Sequence, residues 1–201
     1  MLDPLYREIF KKYILERKTV GYYPSAGFKD ARILKYPFDI LILSDYVEQK
    51  NESSKKDFIN HNKGTIREAM DRYIFKSYNL QESIITDTLS YYVFKIKNKV
   101  YIYFFEDNSI TKSRILEAGI KLDAIICLSD GCREKENYEC LSSDTWLSDI
   151  KSSLKPDGII IQDHKDGQKY FDDLHFTGGS TAESKNLKKV FLELYPQPGE
   201  V

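Results

Sequence analysis

Short apolar runs alternate along this chain with stretches whose apolar residues fall three and four positions apart. The runs are Thr19-Val20-Gly21-Tyr22-Tyr23, Phe38-Asp39-Ile40-Leu41-Ile42-Leu43, a pair of segments within 89–105, Asp123-Ala124-Ile125-Ile126-Cys127-Leu128, and Gly158 to Gln162. Each has strand length, and most are rich in β-branched or aromatic residues, so the pattern predicts buried strands. The break at Lys97-Asn98-Lys99 turns the 89–105 pair into a β-hairpin. Val190 to Tyr195 alternates and predicts a last strand. The helical rhythm is clearest at the start. Leu2, Leu5, Tyr6, Ile9, Phe10, Tyr13 and Ile14 form one stripe, with Asp3 as N-cap and Pro4 in the first turn. Further helices are expected over 31–35, from Ser113 to Ile120, with Gly119 near its end, and over about 140–154, carrying Leu141, Trp146, Leu147, Ile150 and Leu154. Lys155-Pro156-Asp157-Gly158 reads as a turn.

Apolar runs that do not alternate with polar residues belong to strands buried on both faces. Interleaved with helices, they predict an α/β protein: a Rossmann-like, doubly wound, mainly parallel sheet of about seven strands with helices on both faces. The chain of 201 residues reads as one domain, 1–201. Residues 48–80 are polar and loosely helical, with Ile66, Met70, Tyr73 and Ile74 on one face, and read as a helical insertion or lid.

Composition narrows the functional classes. Thirty basic residues nearly balance 31 acidic ones, and no basic stripe suggests a nucleic-acid surface. The alternating Lys95, Lys97 and Lys99 read as one solvated strand face. Three cysteines, Cys127, Cys132 and Cys140, are an odd count without paired zinc-ligand spacing. Apolar runs of about six residues are too short for a membrane span. The N-terminus is charged and periodic, unlike a signal peptide. A soluble, cytoplasmic protein without a bound metal is expected.

In such sheets ligands bind at the carboxyl ends of the strands. Pro24 to Gly27, Ser44-Asp45, Glu106-Asp107, Ser129 to Cys132 and Asp163-His164 all follow predicted strands and should collect on one edge. The small residues Pro24, Ser25, Ala26 and Gly27 allow close backbone approach to a ligand. Asp45, eighteen residues after Gly27, is placed to accept hydrogen bonds from two ribose hydroxyls.

These segments, in this order and spacing, resemble the class I S-adenosylmethionine-dependent methyltransferases, over roughly residues 19–165. Tyr23-Pro24-Ser25-Ala26-Gly27 stands in the place of that family's glycine-rich first motif. Asp45 matches the acid that binds the ribose, and Leu154-Lys155-Pro156-Asp157-Gly158 is similar to the turn that enters strand five. The chain departs from the pattern in its single glycine at the first turn, with no acid before it, and in Asp157 where a second glycine is usual. It also resembles an unassigned bacterial group of methyltransferase-like proteins with a Tyr-Pro-x-Ala-Gly turn. No Asn-Pro-Pro-Tyr follows strand four, which argues against methylation of nucleic-acid bases.

The resemblance implies S-adenosylmethionine as cofactor, held by Pro24, Ser25, Ala26, Gly27 and Asp45, with Asp107 at the adenine edge. The acceptor, a small molecule or protein of unknown identity, would be met by Asp130 and His164 as proton acceptors or orienting groups. Each residue also has a plainer reading. Asp130 before Gly131 forms turns, acids at strand ends cap the next helix, and a histidine after a strand is often only hydrogen-bonded. The rival function is a non-catalytic interaction module on the same fold. Nicotinamide binding is a third, disfavoured by the single glycine.

Overall fold

The computed structural model describes residues 4–14, 18–26, 31–44, 82–85, 90–96, 98–104, 106–128, 144–162 and 174–196. Helix α1 (Pro4–Tyr13) leads into strand β1 (Val20–Pro24). A short 3₁₀ helix (Ala31–Lys35) precedes β2 (Ile40–Ser44). Then come β3 (Glu82–Ile85), β4 (Ser90–Ile96), β5 (Lys99–Phe104), helix α2 (Asn108–Glu117), β6 (Leu122–Cys127), helix α3 (Asp144–Lys151), β7 (Leu154–Gln162), β8 (His175–Gly178) and helix α4 (Ala182–Leu194).

The eight described strands form one sheet in the order β3-β4-β5-β2-β1-β6-β7-β8. The central five, β5-β2-β1-β6-β7, are mutually parallel. β3 and β4 extend one edge antiparallel, and β8 closes the other edge antiparallel to β7. The chain is α/β with a mostly parallel mixed sheet, as the apolar runs predict.

Side chains alternate between two cores because successive residues of a strand face opposite ways. One core joins Tyr22, Ile40, Ile42, Ile102, Phe104, Ile125 and Ile160 to Ile9, Phe10 and Tyr13 of α1, Ile115 of α2, and Trp146, Leu147 and Ile150 of α3. The other joins Tyr23, Leu41, Leu43, Tyr101, Tyr103, Ile126 and Ile161 to Ile33 of the 3₁₀ helix and Phe191 of α4. Gly21 lets these layers close: a Cβ there would stand 2.7 Å from Cδ2 of Phe38. Gly119, at φ +65°, ends the turn after α2 as expected from its place in the sequence.

Four expectations need correction. Val190 to Tyr195 is not a strand: Val190 to Leu194 end α4 and Tyr195 is its C-cap. Thr181 caps that helix, accepting the Ser184 N–H at 3.2 Å. Ser184, Leu187, Phe191 and Leu194, spaced three and four apart, then face the core. A local alternation was outweighed by a longer helical period. The Lys155-Pro156-Asp157-Gly158 segment is not a turn between elements but lies inside β7. The register jumps there from Leu122↔Leu154 to Ala124↔Ile159, so the extra residues bulge out of a continuing strand. Among the described residues the sheet also has eight strands where about seven are expected, because β3 and β8 join it and the 190–195 strand does not. Lys99, read as solvated, donates its ammonium to the Tyr36 carbonyl. The expected insertion over 48–80 lies outside the described residues.

Candidate site at the carboxyl end of the sheet

Strand order reverses between β1 and β6. From β1 the chain steps outward to β2 and then β5, and it returns across β1 to build β6 and β7. In open α/β sheets the usual ligand position is outside the carboxyl ends of the strands at such a reversal. Pro24 pairs with Ser44 and Ser44 with Phe104, so the ends of β1, β2 and β5 lie level. Cys127 pairs with Gln162, which levels the ends of β6 and β7. Of the residues expected to hold a ligand, Pro24, Ser25, Ala26 and Asp107 are brought to this edge. Gly27, Asp45, Asp130 and His164 lie outside the described residues.

The turn after β1 has an unusual conformation. Ser25 adopts φ +51°, the left-handed region, which costs a residue with a side chain roughly 1–2 kcal/mol. Its N–H donates to Oδ1 of Asn108 at 3.2 Å, and Nδ2 of Asn108 donates to the Ser25 hydroxyl at 2.8 Å. The following Ala26 is buried and its N–H donates to the Ser44 carbonyl at 3.1 Å. Both described amides of this turn are thus satisfied from within the protein.

A fourth residue completes the network. The Ser44 hydroxyl donates to Oδ1 of Asn108 at 2.7 Å, and it lies 3.0 Å from the Tyr22 hydroxyl. Because Ser44 has one hydroxyl proton and gives it to Asn108, Tyr22 is the donor in the second contact. Burial pushes the Tyr22 phenol well above its ordinary pKa, and the nearby carboxylates of Glu106 and Asp107 add to that direction. Tyr22 therefore remains a neutral donor at any physiological pH. Its ring stacks on Trp146 of α3, centroids 6.3 Å apart.

Asp107 caps α2. Its carboxylate accepts the Ser109 N–H at 2.7 Å, and its carbonyl accepts the N–H groups of Ile110 and Thr111 at 2.9 and 3.1 Å. This places a negative charge on the positive end of the helix dipole. Glu106 accepts the Thr111 hydroxyl at 2.7 Å and lies 3.2 Å from Nε of Arg114. The expectation that Asp107 stands at this edge holds, and the structure adds the helix-capping contact as its described partner.

Asn108 is the residue that sequence reasoning missed. The run Glu106-Asp107-Asn108-Ser109 carries a helix-start signal. Nothing in it points to Ser25, 83 positions earlier. Among the described residues no helix is long and apolar enough to cross a membrane. No family model matches the chain, and no curated protein matches it.

Proposed function

We propose that this protein binds S-adenosylmethionine at the carboxyl ends of β1 and β2 and transfers its methyl group to an acceptor, on a Rossmann-like, doubly wound frame. The observation that carries this reading is that both described amides of the first turn already have acceptors within the protein. In dinucleotide-binding folds the amides after β1 and the N-terminus of the next helix stay open to cradle a pyrophosphate. Here the Ser25 and Ala26 amides are bound to Asn108 and Ser44. The element after this turn is a 3₁₀ helix of only five residues. The next described α-helix at this edge, α2, has a carboxylate on its N-terminus. Such an edge disfavours a phosphate and suits a nucleoside that carries none, with a cationic centre such as a sulfonium.

Asp45 follows Ser44 and is the carboxylate for the ribose hydroxyls, and Gly27 gives the close approach. Methyl transfer from a sulfonium is an in-line displacement in which proximity and alignment supply most of the rate, so few obligatory side chains are needed. Asp130 and His164, after β6 and β7, are the groups for the acceptor. They take up or orient its proton as the methyl carbon is attacked. Asp130→Asn and His164→Ala lower turnover more than cofactor affinity. Asp45→Ala weakens cofactor binding by about 1.5–3 kcal/mol, the scale of a hydrogen bond to a charged group.

Thermal unfolding with S-adenosylmethionine, S-adenosylhomocysteine and NAD tests the proposal. A ligand at a hundredfold its Kd stabilises the native state by about 2.7 kcal/mol. Upward shifts with the two sulfur nucleosides and none with NAD support the reading. A shift with NAD alone refutes it, and no shift with any of the three favours the non-catalytic interaction module.

A further inference from the structure

Asn108 opens α2, yet its side chain does not serve that helix. All three of its described side-chain bonds leave for other elements: two to Ser25 after β1 and one to Ser44 at the end of β2. The orientation of the carboxamide is fixed by its partners. A backbone N–H can only donate, so the atom facing Ser25 N is the oxygen, and the nitrogen is left for the Ser25 hydroxyl. One neutral group thus satisfies the amide and the hydroxyl of a residue held at φ +51°. It also fixes the strand end whose carbonyl binds Ala26. An aspartate here would add a third carboxylate beside Glu106 and Asp107. A carboxamide holds the turn without that charge.

We propose that Asn108 is a positioning residue for the nucleoside ligand: it holds the turn after β1 in its left-handed conformation, and its influence on binding runs through Ser25. The inference rests on the cofactor reading above. Its distinctive consequence is a dependence on the residue at position 25. Glycine adopts a positive φ without strain, so with Ser25→Gly the turn needs the clamp less.

Titration calorimetry with S-adenosylhomocysteine on four proteins tests this: the wild type, Asn108→Ala, Ser25→Gly and the double variant. Asn108→Ala is expected to weaken binding about tenfold when Ser25 is present, and by no more than about threefold in the Ser25→Gly background. Asn108→Asp keeps an oxygen acceptor for Ser25 and Ser44 and is expected to recover most of the loss. It serves as the working variant if Asn108→Ala does not fold, with the comparison of backgrounds made on its smaller effect. An equal loss in both backgrounds, or an unchanged affinity in Asn108→Ala, overturns the role of Asn108 and leaves the cofactor reading standing. No binding to the wild type overturns the cofactor reading and the role together.

Discussion

The two ends of the parallel sheet use their polar residues differently. At the amino end, carboxylates close directly on backbone and lysine. Asp39 accepts the N–H and the hydroxyl of Thr19, both at 3.0 Å, while the Thr19 hydroxyl accepts the Asp39 N–H at 2.9 Å. Asp123 accepts the Val20 N–H at 2.7 Å and the Lys155 ammonium at 2.8 Å. Asp157, in the β7 bulge, accepts the Ser180 N–H at 2.9 Å and the Thr181 N–H at 3.2 Å, which fixes the start of α4. At the carboxyl end the bonds among Tyr22, Ser25, Ser44 and Asn108 are neutral, and they hold a strained turn rather than a strand start. The amino end uses charge to fasten the frame. The carboxyl end holds two described carboxylates, Glu106 and Asp107, at the margin of a neutral network, and this is the end where the sequence clusters its candidate ligand residues.

That contrast is open to test from both sides. The largest effect is expected beneath the carboxyl end. Trp146 is fully buried and stacks on Tyr22, so Trp146→Ala removes the support of the network and leaves a cavity. A loss of roughly 3–5 kcal/mol is expected in urea unfolding, together with weaker ligand binding. A loss below about 1 kcal/mol would mean that α3 does not brace this end.

Asp123→Ala probes the amino end. It deprives the Val20 N–H of its acceptor and Lys155 of its partner. The Lys155 side chain is more than a third exposed, so the ion pair contributes little and the orphaned amide dominates. A destabilisation of about 1–3 kcal/mol is expected, with ligand affinity unchanged. An affinity that falls with stability would erase the division between the two ends.

The smallest effect concerns Asp157. Hydrogen bonds from Thr181 and from the Ser180 backbone lower its pKa to about 2, below the ordinary value of 3.8. A carboxyl whose pKa is depressed on folding stabilises the native state above its unfolded value and ceases to do so as pH falls through the folded one. The contribution is therefore complete above about pH 4 and disappears toward pH 2. Tm measured from pH 5 down to pH 2 should fall less steeply in Asp157→Asn than in the wild type. Parallel curves would show that the clamp on α4 does not depend on this charge.

The sequence made the frame legible because its evidence is local. The strands β1, β2, β5, β6 and the buried half of β7 are mainly apolar runs, and α1 is a stripe at helical spacing. The elements it misjudged carry weak or conflicting local signals. β8 has a single apolar residue, Phe176, and α4 contains an alternating stretch within a helical one. The β7 bulge contains Pro156, Asp157 and Gly158, which are turn residues by every local rule. The site was half legible. Position after a strand brought Pro24, Ser25, Ala26 and Asp107 to the carboxyl edge. The network that shapes the turn was hidden, because Asn108 meets Ser25 and Ser44 only once β5 has paired with β2 and β2 with β1.

The central claim is that the carboxyl ends of β1 and β2 form a nucleoside site that excludes phosphate. Backbone amide shifts recorded during titration with S-adenosylhomocysteine, and separately with NAD, test it most directly. With S-adenosylhomocysteine, Ser25, Ala26 and Ser44 should move while Thr19, Asp39 and Asp123 at the opposite end stay in place, and NAD should move none of them. Shifts of Ser25 and Ala26 with NAD, or S-adenosylhomocysteine shifts confined to the amino end, would contradict it.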